Sequence, residues 1–196
     1  MKKLLLLTIV LGSTAAVSAQ TTSATGGDCK LTVAQAPAIR GIRLGMTIDQ
    51  ALGVFPGAQA DSDVKASLAR GSFGAQQAFV DPGKYESKEK FVGVKLINMT
   101  FLDGRLTHFW IGYNEPEWKS DEQFAARVAE ALGLPGVRSW KPILNGLGLS
   151  CDAFQIAVSI AGTNSIWMND LRVDVAKIVS DRAEVPKEQA RRAFKP

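Results

Sequence analysis

The sequence predicts an α+β fold, a two-layer sandwich with short helices on one face of a mainly antiparallel sheet. Three observations lead there. Two helix-start signatures, Thr47-x-x-Gln50 and Ser120-x-x-Gln123, are each followed downstream by a pair of alternating apolar runs. Asp103-Gly104 joins the first such pair as a two-residue hairpin turn. The chain is also about one domain long once its N-terminal leader is set aside.

That leader comes first in the chain. Lys2 and Lys3 precede an apolar run over residues 4–11, and a small-residue stretch ends in Val17-Ser18-Ala19. Charge, apolar core and small residues in that order make a secretory signal. The expected cut lies between Ala19 and Gln20. The apolar run is far shorter than the roughly 20 residues a bilayer span needs, which argues against a retained membrane anchor. Removing residues 1–19 from 196 leaves 177, and the two lysines lost bring Lys+Arg to 21 against 19 Asp+Glu, a mature net charge of +2. Such a balanced surface lacks the basic stripe that nucleic-acid binding needs. At 46% hydrophobic and 21% charged residues, the chain can bury a sizeable core. The expected location is periplasmic or extracellular. Residues 20–28 are rich in Thr, Ser and Gly and read as a flexible tail, leaving 29–196 as a single α+β domain.

Cys29 and Cys151 are the only cysteines, and an even count in an exported chain predicts a disulfide. Asp28 precedes Cys29 where a lipid-attachment cysteine would directly follow the apolar region, so no lipid anchor is expected.

Thr47 and Gln50 form a capping box, after which Ile48, Ala51, Leu52 and Phe55 share a helical face up to the stop at Pro56-Gly57. Residues 64–70 suggest a short helix, and residues 78–80 a short strand before the turn Asp81-Pro82-Gly83. Residues 84–90 are charged and expected at the surface. Residues 91–102 and 105–113 make the first hairpin. Ile97, Met99 and Phe101 alternate on one face, and a two-residue turn would bring Leu106, His108 and Trp110 to that same face. The stronger apolar series on the return strand is Phe109, Ile111 and Tyr113. Both series meet the core only if a bulge lies near Thr107-His108.

Ser120 and Gln123 then open a second capped helix, with Phe124, Val128, Ala131 and Leu132 on one face and Gly133 as its stop. In the second hairpin Phe154, Ile156, Val158 and Ile160 alternate, Gly162-Thr163-Asn164 turns, and residues 166–175 return. The order helix, hairpin, helix, hairpin suggests a tandem duplication with halves 38–113 and 114–180, set against the alternative that such units are simply common. A last helix is expected to start at Pro186, with Arg191 and Arg192 in its final turn. The expected core comprises Ile48, Leu52, Phe55, Ile97, Met99, Phe101, Phe109, Ile111, Phe124, Val128, Leu132, Phe154, Ile156 and Val158.

Catalytic signatures are scarce. His108 is the only histidine, so no single-chain site with two histidines can bind zinc. Gly148-Leu149-Ser150-Cys151-Asp152 lacks the second glycine of a nucleophile elbow. Gly146-Leu147-Gly148 opens a dinucleotide pattern whose third glycine is replaced by Cys151. No cofactor and no metal site is expected. Glu115 and Glu117 flank Pro116 and would suit a two-carboxylate hydrolase, but loop glutamates before a helix are usually solvated. Trp118 and Trp140, in loops beside Pro116 and Pro142, are candidate recognition residues together with Glu115 and Glu117, whereas Trp110 and Trp167 read as core-capping strand residues.

The stretch Ile42-Arg43-Leu44-Gly45-Met46-Thr47-Ile48-Asp49-Gln50-Ala51-Leu52 resembles the helix entry of small bacterial envelope α+β domains. These include the small lipoprotein of the outer-membrane barrel-assembly complex and the β-lactamase inhibitor protein, itself a tandem duplication. The resemblance covers about a dozen residues and the element order, and no inhibitor contact motif is matched. It implies a helix packed on an antiparallel sheet and a binding role. The expected function is therefore a non-catalytic binding module of the cell envelope, meeting a protein or envelope polymer through the other sheet face or the loops of Trp118 and Trp140. The alternatives are an envelope hydrolase using Glu115, Glu117 or His108, and an inhibitor of a secreted hydrolase. Mass spectrometry of the exported protein should find Gln20 at its N-terminus; an intact leader would contradict the processing expected here.

Overall fold

In the computed structural model, which describes residues 29–114 and 117–193, the helices begin where the sequence supplies caps. Thr47 Oγ1 accepts from the Gln50 N–H at 3.2 Å, and Gln50 Oε1 accepts from the Thr47 N–H at 2.9 Å. This closed capping box starts α1 (Ile48–Leu52). The helix ends earlier than its apolar face suggests: Phe55 falls in the following turn, yet is fully buried. Asp61 caps α2 (Ser62–Ala69) through the N–H groups of Asp63 and Val64. Ser120 Oγ caps α3 (Asp121–Leu132), but Gln123 Oε1 accepts from Lys119 rather than from Ser120, so only one arm of that box closes. Gly133, at φ 64°, ends α3 in the left-handed conformation.

Seven strands follow among the described residues: β1 (Ala75–Val80), β2 (Val94–Leu102), β3 (Arg105–Tyr113), β4 (Lys141–Ile143), β5 (Gly146–Ser150), β6 (Phe154–Ser159) and β7 (Asn164–Asp170). They form one sheet in the order β1-β2-β3-β7-β6-β5-β4, every pair antiparallel. The fold is the α+β sandwich that the sequence predicts. Each half contributes a meander, β1-β2-β3 and β5-β6-β7, and their last strands pair at the centre. The helical complements of the halves differ: α2 packs on β1, whereas α3 packs on β5 and β6.

Asp103 and Gly104, both at positive φ (50° and 73°), make the expected tight turn between β2 and β3. Thr100 pairs with His108 but Phe101 with Leu106, leaving Thr107 as the extra residue of a bulge. Leu106, Phe109 and Ile111 are consequently all fully buried with Ile97, Met99 and Phe101. This is the bulge that the conflicting alternations demand.

Several elements depart from expectation. β4 and β5 form a hairpin that the glycine-rich run 144–151 concealed, because Gly146 and Gly148 fill one face and weaken the strand signal. β7 ends at Asp170, not at residue 175. Burial alone would raise the Asp170 carboxyl, but two side-chain hydrogen bonds from Arg172, at 2.9 and 2.8 Å, outweigh it and hold the group below its ordinary value. The last helix, α4 (Val175–Ala193), starts well before Pro186, which lies inside it. It is tied to the first hairpin by Arg182, which donates to Asp103 through both terminal nitrogens at 2.8 Å. Tyr85, in the stretch expected at the surface, is buried. Its hydroxyl donates to Asp61 Oδ2 at 2.9 Å, and burial and this bond push its pKa up to about 12. Leu132 and Ile48 are only partly buried, and Ala131 is exposed; the buried stripe of α3 is Phe124, Ala125, Val128 and Ala129. The predicted leader (residues 1–19), tail (20–28) and Glu115 lie outside the described residues, and no helix among the described residues is long and apolar enough to cross a membrane.

Cys29 and Cys151 form a disulfide across 122 residues, fixing the first described residue beside the end of β5. Opening so long a loop in the unfolded chain is worth roughly 4–5 kcal/mol on the chain-entropy model. Replacing both cysteines by serine should lower the unfolding free energy in urea by up to that amount. A loss under about 1 kcal/mol would show that loop closure contributes little here.

Candidate functional site

The sheet has two chemically distinct faces. Ile97, Met99, Phe109, Ile111, Ile156, Val158 and Met168 point into the core. The alternate residues form the open face, and the register aligns them in rows. One row runs Phe79, Asn98, Trp110, Trp167, Ala157, Gly148 and Lys141 across all seven strands. The adjacent row runs Gln77, Thr100, His108, Asn169, Gln155 and Ser150. Aromatic rings thus occupy one line, and uncharged amides, hydroxyls and an imidazole the next.

Trp110 and Trp167 are direct partners across β3 and β7, and both are half-buried. The Trp110 indole lies over Gly112, where a Cβ would clash with the ring. Glycine two residues on therefore lets the ring lie against the sheet. Beyond Trp167 the row drops to Ala157 and Gly148, both buried small residues. A hollow of about 530 Å³ forms on this side, lined by His108, Trp110, Asn145, Ser159, Thr163 and Trp167. A second hollow, about 520 Å³, opens on the other side of His108 towards Asn169, Gln77 and the start of α4. Phe79 at the β1 edge is 41% exposed. Asn98 Oδ1, next in the row, is enclosed without a hydrogen-bond donor from the described residues.

His108 Nδ1 and Asn169 Oδ1 are hydrogen-bonded across β3 and β7. Burial lowers the imidazole pKa, opposed by the Asn169 bond. His108 therefore favours its neutral form, in keeping with the uncharged row around it.

The candidates drawn from the loops fare differently. Trp140 is buried at 4% exposure, and its Nε1 donates to the Pro135 carbonyl at 3.0 Å. It caps the core and has no ring face to offer a partner. Trp118 is partly buried and stacks on Phe124, with ring centroids 5.0 Å apart and an 11° interplanar angle. Glu117 is exposed in a polar cleft with Lys95, Asn114 and Asn164. Of the hydrolase candidates, His108 and Glu117 line different clefts, and Glu115 lies outside the described residues. Among the described residues no group of three His, Cys, Asp or Glu side chains is placed to hold a metal ion.

Trp110 and Trp167, which the sequence marks as core-capping strand residues, stand on the open face. The available signal is their phase: each is out of step with the core series of its strand, Phe109-Ile111 and Ile166-Met168. That the two meet depends on the β3–β7 register, which local patterning does not encode. No protein-family model, curated protein or solved structure matches the chain.

His108 also sets a pH dependence. Its folded pKa lies below the 6.5 of the free side chain, so below pH 6.5 the unfolded chain binds more protons. Stability is fully present above pH 6.5 and declines as pH falls towards the lowered folded value. Urea titrations between pH 7.5 and 5 should show this decline in the wild type and flatten it in His108→Gln. An equal decline in both proteins would assign it to other groups.

Proposed function

We propose that this chain is an exported, non-enzymatic binding module of the cell envelope that meets a protein or envelope polymer through the open face of its sheet. The carrying observation is the aromatic row Phe79, Trp110 and Trp167 beside the uncharged polar row Thr100, His108 and Asn169. Large, rigid rings supply contact area at small entropic cost, and adjacent amides and hydroxyls supply direction. Charged side chains are absent from the centre of both rows, with Lys141 at the far edge. Such a surface suits recognition by stacking and hydrogen bonding more than long-range electrostatic steering.

Export is supported by the leader-like N-terminus and the Cys29–Cys151 disulfide, since such bonds persist in oxidising compartments. The resemblance of residues 42–52 to small envelope domains points the same way. The inventory of candidate catalytic groups stays thin, with His108 and Glu117 lining separate clefts.

The test is affinity capture of the mature, oxidised protein from its own envelope extract, with the recovered partner then titrated against single variants. Trp110→Ala and Trp167→Ala should each weaken binding by roughly thirtyfold or more, as central aromatic anchors do. Circular dichroism would verify that each variant is folded. Undiminished binding in both variants would reject the open face, and loss only in Trp118→Ala would move the site to the loop before α3.

A further inference from the structure

On the opposite side of the sheet, a cleft of about 390 Å³ opens between α3 and the tight turn Ile39–Ile42. Its floor is Ile166 of the central strand β7. One wall is aromatic and pre-formed. Trp118 stacks on Phe124, and Tyr113 meets Phe124 edge-on with centroids 6.3 Å apart. Val128 and Leu132 of α3 continue that wall, and Val92, 72% exposed, stands at the surface. This volume and apolar lining lie within the range of small-ligand sites, roughly 300–1,000 Å³.

The polar chemistry of the cleft has one sign. Arg40 and Arg127 are its charged lining residues, and no carboxylate lines it among the described residues. Arg40 is held in a fixed place. It occupies positive φ (52°) in the tight turn, and Nη1 donates to the Lys90 carbonyl at 3.0 Å. Its guanidinium also lies beside the Tyr113 hydroxyl. No ion pair to Arg40 forms among the described residues, and its remaining N–H groups are donors without a carboxylate. Arg127 pairs with Glu130 at 2.9 Å, but both side chains are exposed, and such pairs are weak enough to exchange.

We propose that this cleft binds a free medium-chain fatty acid. The alkyl chain lies along Trp118, Phe124, Val128 and Leu132, and the carboxylate is received by Arg40 with Arg127 beside it. The charge argument selects the head group: an anionic head meets two guanidiniums, whereas a neutral head forgoes charge-assisted hydrogen bonds and a cationic one is repelled. The apolar wall selects the single chain. This site is separate from the open face and does not depend on what that face binds.

Isothermal titration of the mature, oxidised protein with dodecanoate, decanoate, dodecanol and dodecyltrimethylammonium tests the proposal. Dodecanoate should bind one to one. It should bind at least about tenfold tighter than dodecanol, the worth of a hydrogen-bonded charge, and roughly tenfold tighter than decanoate, the worth of two buried methylenes. The cationic amphiphile should not compete. Arg40→Asn, chosen because asparagine tolerates positive φ, should weaken dodecanoate about tenfold while leaving dodecanol unchanged. Ala131 is exposed and lines the cleft, so Ala131→Trp should occlude it without disturbing the core and abolish binding. Absence of dodecanoate binding, equal affinity for acid and alcohol, or unchanged affinity in Ala131→Trp would each overturn the proposal. A peptide with an apolar C-terminus that binds where dodecanoate does not would overturn it as well, and identify the occupant as protein.

Discussion

β3 and β7 pair antiparallel along six residues, from His108 with Asn169 to Tyr113 with Asn164. This contact fuses two meanders that neither half could close alone. Each meander by itself would leave an apolar face and an unpaired edge, and small open sheets of that kind are marginal in water. Joining them at their last strands buries Phe109 and Ile111 beside Ile166 and Met168 in one continuous core. The same register places Trp110 against Trp167 on the reverse side. Core and candidate surface are two sides of one pairing.

The Thr107 bulge makes that arrangement compatible with the hairpin turn. The tight Asp103-Gly104 turn dictates which residues oppose each other at the start of β3, and those residues include Leu106 as an inward-facing side chain. Without an extra residue the phase would carry His108 and Trp110 inward and drive Phe109 and Ile111 into solvent. One inserted residue reverses this at small cost, since Thr107 Oγ1 donates to the Thr100 carbonyl at 3.2 Å. His108 and Trp110 thereby reach the open face.

Helices and sheet do not cover each other completely, and the gap has consequences. α3 lies over β5 and β6, while the Ile39–Ile42 turn and Val92 approach from the other half. Between them Ile166 is the floor of an apolar cleft, and its chain neighbour Trp167 stands on the opposite surface. The two candidate surfaces are thus back to back across a single strand. The disulfide from Cys29 to Cys151 holds the N-terminal segment that leads to this turn.

Local chemistry alone determined much of this protein. Caps at Thr47 and Ser120, the positive-φ pair Asp103-Gly104 and the alternation of β2, β3 and β6 are short-range features, decided by neighbours within a few residues. Even the bulge was legible, because two apolar alternations on one strand cannot otherwise share a core. The β4–β5 hairpin is hidden because glycines carry no side chain to pattern, and Pro186 suits a helix start by local preference although it lies inside α4. Trp140 illustrates the limit most clearly: its loop position suggested exposure, and only the packed fold shows its indole donating inward to Pro135. The rows of the open face and the arginine-rimmed cleft belong wholly to tertiary structure. Both arise from register and packing between segments far apart in the chain, where the free energy is set by contacts that no local window contains.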